Sequence, residues 1–167
     1  MAGNTKPSSW AIDKGSDTPR QLANFLPYQL SIASNAVSRL IAENYRKRFG
    51  LKIAEWRVMA VLGDAGALTQ RALTQATLMD KVAVNRSCKV LEERGLVMRS
   101  PNLRDGRSHL LELTGEGRAI HAEVMPLAQA IEASLVAEFS DAEEQQLREL
   151  LGRLRERALA LSDETSR

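Results

Sequence analysis

The sequence predicts a mainly α-helical fold with one small β-hairpin. Apolar residues recur at helical spacing over long stretches at both ends of the chain, and a compact two-helix unit lies between them. Directly after that unit, two apolar runs, Leu96 to Arg99 and His109 to Leu113, flank a loop from Ser100 to Arg107 rich in turn residues.

The two-helix unit is the most informative stretch. Asp80 is placed to cap a helix running to Arg94. Val84, Cys88 and Leu91 then fall at i, i+4 and i+7, the spacing of a stripe turned to a core. Val82, Asn85, Arg86 and Lys89 make a second stripe with no acidic residue among them, which suits a phosphate-lined groove. Gly95 stands where a helix ends in a left-handed residue, and Leu96-Val97-Met98 opens a strand. Upstream, Thr69 opens a shorter helix from Gln70 to about Thr77, whose Leu73 packs on the longer one. Two helices crossing over a tight turn, followed by a hairpin, make a winged helix-turn-helix, expected over residues 51–118. Its first helix is Ile53 to Leu62, with Trp56 and Met59 toward the core, followed by a turn at Gly63 and Gly66.

Flanking helices extend this unit. Residues 1–22 are polar and broken, a flexible arm whose Trp10 either belongs to an unstructured tail or folds back over a groove. Residues 23–50 hold a first helix, with Pro27 in its first turn and Gly50 as its stop. Its basic end, Arg46-Lys47-Arg48, reads either as a solvated helix terminus or as a distant phosphate contact. After the hairpin, Thr114 caps a helix carrying Ile120, Val124, Leu127, Ile131 and Leu135, which Pro126 is expected to interrupt and bend. Ser140 with Glu143 forms a capping box for a last helix. The terminal helices show more apolar stripe than one small winged helix can cover. Residues 23–50 and 119–163 are therefore expected to dimerise, through Leu26, Leu30, Val124, Leu127, Ile131, Leu147, Leu151 and Leu154.

Composition narrows the class. The chain has 167 residues, a net charge of +2, 44% hydrophobic and 26% charged residues, and a single cysteine. That is ordinary for a globular protein. No signal peptide and no apolar run of membrane-spanning length is present, so a cytoplasmic location without membrane partners is expected. No phosphate loop, no histidine pair at metal spacing and no nucleophile elbow occurs, which argues against an enzyme and against a cofactor or metal. His109 and His121 read as surface or satisfied side chains. Cys88, on the inward stripe, reads as an inert buried thiol in preference to a redox switch.

Residues 68–118 resemble the DNA-binding region of the multiple-antibiotic-resistance regulator (MarR) family. The matching features are Leu68-Thr69-Gln70, Met79-Asp80-Lys81-Val82, Leu91-Glu92-Glu93-Arg94-Gly95-Leu96-Val97, the hairpin Asp105-Gly106-Arg107, and Leu113-Thr114 with Gly117-Arg118. The flanking helices carry the resemblance over roughly residues 25–162. One departure is Leu78, where many members have a glycine in the turn before the recognition helix.

The resemblance implies a homodimeric regulator, a repressor, binding a pseudo-palindromic double-stranded DNA operator and released by a small aromatic acid or thioester. On this expectation Asn85 pairs with adenine, Arg86 with guanine, Val82 meets a thymine methyl, and Lys81 and Lys89 hold phosphates; which of them reach bases stays open. Thr69, Gln70 and Arg104 join the DNA contacts. Arg107 enters the minor groove, positioned by a charge-assisted bond from Asp105. The effector cleft is expected between the first helix, the Trp56 helix and the helix after Thr114, with Ser34, Asn35, Arg39 and Trp56 as candidates. A winged helix used only for protein contacts is the alternative.

Overall fold

The structure, a computed structural model, describes residues 22–103 and 105–165. A 3-10 turn at Leu22–Asn24 precedes α1 (Leu26–Phe49), α2 (Ile53–Ala65), β1 (Leu68–Thr69), α3 (Gln70–Thr77), α4 (Lys81–Glu93), β2 (Val97–Pro101), β3 (His109–Leu113), α5 (Gly115–Val136) and α6 (Asp141–Thr165). The expected N-terminal arm with Trp10, Leu22 aside, and Arg104 lie outside the described residues. No described helix is long and apolar enough to cross a membrane.

The described residues fall into two units, one ending at Val37 and the other beginning at Ser38. In the first, the Gln29 amide donates to the Ala23 carbonyl at 2.6 Å, fixing the entry to α1. Leu22, Phe25, Leu26, Tyr28, Ile32 and Val37 are exposed here, and Leu30 is half-buried.

The second unit holds the core. Tyr45 and Leu51 meet Val58, Met59 and Leu62 of α2, Leu73 of α3, Val84, Cys88 and Leu91 of α4, Leu96, Leu111 of β3 and Val124 of α5, all buried. Each such aliphatic side chain contributes roughly 1.5–3 kcal/mol when taken fully out of water. Val124 was expected at a dimer face. It instead faces inward from α5 and is 1% exposed, so it has no surface left for a partner. Leu127 and Leu135 of α5, and Leu147, Leu150, Leu151, Leu154 and Leu161 of α6, are exposed, while Ile131 is half-buried.

The sheet has three antiparallel strands in the order β1-β3-β2, with Leu68 opposite Leu111 and Val97 opposite Leu113. Two residues are too few to show alternation, so β1 was not expected; it satisfies the second edge of β3. Strand β2 runs on through Ser100 and Pro101, which the sequence places in the loop. Pro101 is tolerated because β2 is an edge strand and its missing N–H faces no neighbour.

Two helices differ from expectation. Helix α2 continues through Gly63, where a Cβ would collide with the His121 imidazole, and stops at Gly66 with φ 76°. Helix α5 continues through Pro126 to Val136. The Ser140 capping box forms as expected: Glu143 accepts from the Ser140 N–H at 2.8 Å and the Glu143 N–H donates back to the Ser140 hydroxyl at 3.4 Å.

Candidate nucleic-acid interface

Helix α3 begins at Thr69, whose hydroxyl accepts from the Ala72 N–H at 3.2 Å, and α4 at Asp80, whose carboxylate accepts from the Ala83 N–H at 2.8 Å. These caps place the two helix starts independently of tertiary packing. Between them Leu78 adopts φ 51°, the left-handed conformation that a glycine would adopt freely. The departure from the family pattern therefore changes the residue and leaves the turn in place.

The two stripes of α4 separate as expected. Val84, Cys88 and Leu91 are fully buried, with Ser87 beside them, and Lys81, Val82, Asn85, Arg86 and Lys89 are exposed. The outward face is not wholly free of acid. One turn beyond, Glu93 pairs with Lys89 at 3.8 Å, both side chains being mostly in solvent. Such an exposed pair is worth little and exchanges readily for another anion.

The wing tip is shaped by Asp105. Its carboxylate accepts from the backbone N–H of Arg107 at 3.2 Å, a charge-assisted bond made to the main chain. Ser108 N–H donates to the Asp105 carbonyl at 3.0 Å, and Asn102 closes the loop by donating its backbone N–H to the Ser108 carbonyl at 3.1 Å and its side-chain amide to the Ser108 hydroxyl at 2.9 Å. This local bonding competes well with strand pairing at a tip. The guanidinium of Arg107 stays exposed. At the base of the wing, Arg99 of β2 donates twice to one oxygen of Glu92, at 2.8 and 3.0 Å, tying the hairpin to α4.

A groove joins the start of α3 to the wing, lined by Thr69, Gln70, Arg71, Arg99, Asp105 and Arg107 among others. A second groove places Gln70 and Arg71 beside Thr74, Gln75 and Lys81. Thr69, Gln70, Asp105 and Arg107 thus line one groove and Lys81 the other, the two sharing Gln70 and Arg71. Arg71, which the sequence does not single out, lines both grooves.

The far end of α4 is clamped. Arg94 donates to the Phe49 carbonyl at 2.6 Å and to the Gly50 carbonyl at 3.4 Å, and lies 3.9 Å from the buried carboxylate of Glu55. Glu55 also accepts the Lys52 N–H at 2.9 Å, capping α2. On the other side Thr114 donates to the Gly95 carbonyl at 2.7 Å and accepts from the Gly117 N–H at 3.0 Å, capping α5. Helix α4 is therefore held to the end of α1, the start of α2 and the start of α5.

Comparison with known proteins agrees with this geometry. The MarR family model matches residues 49–108. The regulator YwoH of Bacillus subtilis (strain 168), named as an uncharacterized HTH-type transcriptional regulator, is 32% identical over 110 residues, covering 64% of this chain and 80% of that protein. The chain belongs to the MarR family. Among solved structures, a probable transcriptional regulator from Pseudomonas aeruginosa aligns with a TM-score of 0.68 and 31% identity, over 80% of this chain and 99% of that one. BpsR of Bordetella bronchiseptica, whose DNA binding is described as regulated by 6-hydroxynicotinic acid, aligns with a TM-score of 0.73 and 25% identity, over 83% and 98%. The protein is accordingly a winged-helix, DNA-binding transcriptional regulator and not an enzyme.

The four effector candidates of this MarR-family chain are distributed over both units. Ser34 and Asn35 lie exposed on the first unit. Arg39 lines an open groove of about 800 Å³ with Ala42, Glu43, Arg46 and residues 50–54. Trp56 is buried between Tyr45 and His121, ring centroids 5.5 and 5.7 Å away. The His121 imidazole stacks on the indole, and Trp56 belongs to the core, as its place on the inward side of α2 led one to expect. Burial pushes the Tyr45 hydroxyl up to about 12, against the charge of Arg57, and holds His121 below its usual 6.5, against the charge of Asp64. Of the basic run ending α1, Arg46 lines the groove, while Arg48 pairs with Glu123 of α5 and lies over the Phe49 ring.

Cys88 sits at zero exposure within the core. Burial first, and then the nearby charge of Glu92, push its thiol up to about 11, with Arg99 opposing. A thiol held protonated is a poor nucleophile, which favours the inert reading over the redox one.

Proposed function

We propose that this chain is a homodimeric repressor that binds a pseudo-palindromic operator and is released by a small aromatic acid or its thioester. The DNA reading rests on the division of α4: an inward stripe fully buried, and an outward stripe of Val82, Asn85, Arg86 and Lys89 exposed. In the major groove Asn85 recognises adenine, Arg86 guanine, and Lys81 and Lys89 take phosphates. Arg107 enters the minor groove from the wing. Arg71, at the junction of the two grooves, adds a backbone contact.

The dimer reading rests on the exposed apolar residues of α6, Leu147, Leu150, Leu151 and Leu154, and on those of α1, Leu26 and Ile32, for which two-fold pairing is the commonest use. Effector control is supported by the regulation described for BpsR, and Arg39 is the effector candidate that stands in a groove. An effector relieves repression by preferring a dimer whose recognition helices no longer match successive major grooves, about 34 Å apart.

The test is binding of the full chain to its own upstream DNA and to a scrambled duplex over a salt series, with sedimentation in parallel. Preference for one duplex, a steep salt slope and a dimer at micromolar concentration are expected. Salt-insensitive or absent binding would reject the reading.

A further inference from the structure

Leu78 is the only non-glycine with positive φ among the described residues, at φ 51° and ψ 22°. In that conformation a Cβ crowds the following carbonyl, a strain glycine does not have. The turn itself has a structural purpose. It lets Met79 pack on the core, with the Met79 N–H on the Thr77 hydroxyl at 3.4 Å, and leaves Asp80 extended to cap α4. None of this needs a side chain at position 78. The one present is 59% exposed, so packing inside the fold does little to offset the strain. Four residues on, Val82 is 65% exposed in the first turn of α4.

We propose that Leu78 is a specificity-determining residue for DNA, placing its apolar side chain on a thymine methyl in the major groove beside the one met by Val82. The inference rests on the reading that α4 enters that groove. Strain kept in an exposed residue at the edge of a binding surface points to use outside the fold. Leu78 stands just before the exposed start of α4, where Asp80, Lys81, Val82 and Asn85 are all in solvent. Phosphates and the polar base edges suit Arg71, Lys81, Asn85, Arg86 and Lys89, whereas Leu78 has no polar atom to offer. In the major groove thymine is the base that presents an apolar group, its 5-methyl.

The test uses the duplex that the wild-type chain enriches from a random pool, made with thymine or with uracil, which lacks only the methyl. Leu78→Gly and Leu78→Asn keep the left-handed turn and remove the apolar side chain. Both variants are expected to melt at or above the wild-type temperature. Both should lose about fourfold in affinity per half-site on the enriched duplex and nothing on a scrambled one. At one thymine per half-site, uracil should weaken the wild type by the same factor and leave the variants unchanged. No loss, equal loss on scrambled DNA, or no position where uracil separates wild type from variants overturns the proposal. So does a variant that melts well below wild type, since Leu78 would then be held by the fold. A wild type that enriches no duplex overturns the underlying DNA reading and the inference with it.

Discussion

The guanidinium of Arg94, at the end of the recognition helix, donates to the carbonyl of Phe49, at the end of α1, across 2.6 Å. With Glu55 3.9 Å away and nearly buried, this one side chain satisfies a helix C-terminus and faces a capped helix N-terminus. Replacing it by methionine keeps the length and removes the donors. Arg94→Met should cost roughly 1–3 kcal/mol, read by denaturant titration, because the Glu55 carboxylate and the Phe49 carbonyl lose a partner. Arg94→Lys should recover only part of the loss, since an ammonium lacks the fork. A Met variant as stable as wild type would show that the clamp is incidental.

Gly117 lies against the backbone carbonyl of Leu96, where a Cβ has no room. The obstacle is main chain, so relaxation must move the start of α5 or the strand below it. Gly117→Ala should therefore destabilise by about 1–3 kcal/mol. Gly115→Ala, with open space at the Cβ position, serves as the control. Comparable stabilities for the two would contradict the packing argument.

Burial keeps the His121 imidazole below its usual 6.5. The neutral form is thus favoured in the folded chain. The stability it contributes is complete above pH 6.5 and is lost as pH falls through the lowered folded value. Thermal melts from pH 8 to pH 5 should show an acid-side decline that His121→Gln reduces. Parallel profiles for the two proteins would mean that the stack on Trp56 carries no proton linkage.

With its thiol near 11 and no exposed surface, Cys88 should ignore a thiol reagent at neutral pH until the chain unfolds. Labelling across a urea gradient should track the loss of helicity. Fast labelling of the native protein would reopen the redox reading.

On DNA, reading and holding should separate. Lys89→Ala and Arg71→Ala should weaken specific and scrambled duplexes alike and reduce the salt slope by about 1. Arg86→Ala should cost roughly 1–3 kcal/mol mainly on the specific duplex. Arg107→Ala should lose most where A·T pairs narrow the minor groove. If none of these substitutions changes either affinity, the outward face of α4 is not a DNA-reading surface.

Much of the fold was legible because its signals are local. Thr69, Asp80, Thr114 and Ser140 cap helices through bonds within three residues, and Val84, Cys88 and Leu91 mark an inward stripe by spacing alone. The exposure of Val82, Asn85, Arg86 and Lys89 followed, since the opposite side of such a helix must be the outward one. Arg71 escaped notice because a single arginine in a helix's first turn carries no pattern.

What the tertiary structure alone decided are contacts between segments far apart in sequence. The strand at Leu68–Thr69 exists because β3 offers it an edge, and Pro101 can belong to β2 because that strand has no neighbour on its outer side. Position 63 has room only for a glycine because His121 of α5 occupies the place of a side chain there, and the same imidazole stacks on Trp56. Val124 turned inward for a related reason: a periodic stripe says which residues share a face, but only packing decides whether that face meets the chain's own core or another molecule. Sequence periodicity is a property of one helix, whereas burial is a property of a pair of surfaces, and the second surface is placed by the fold.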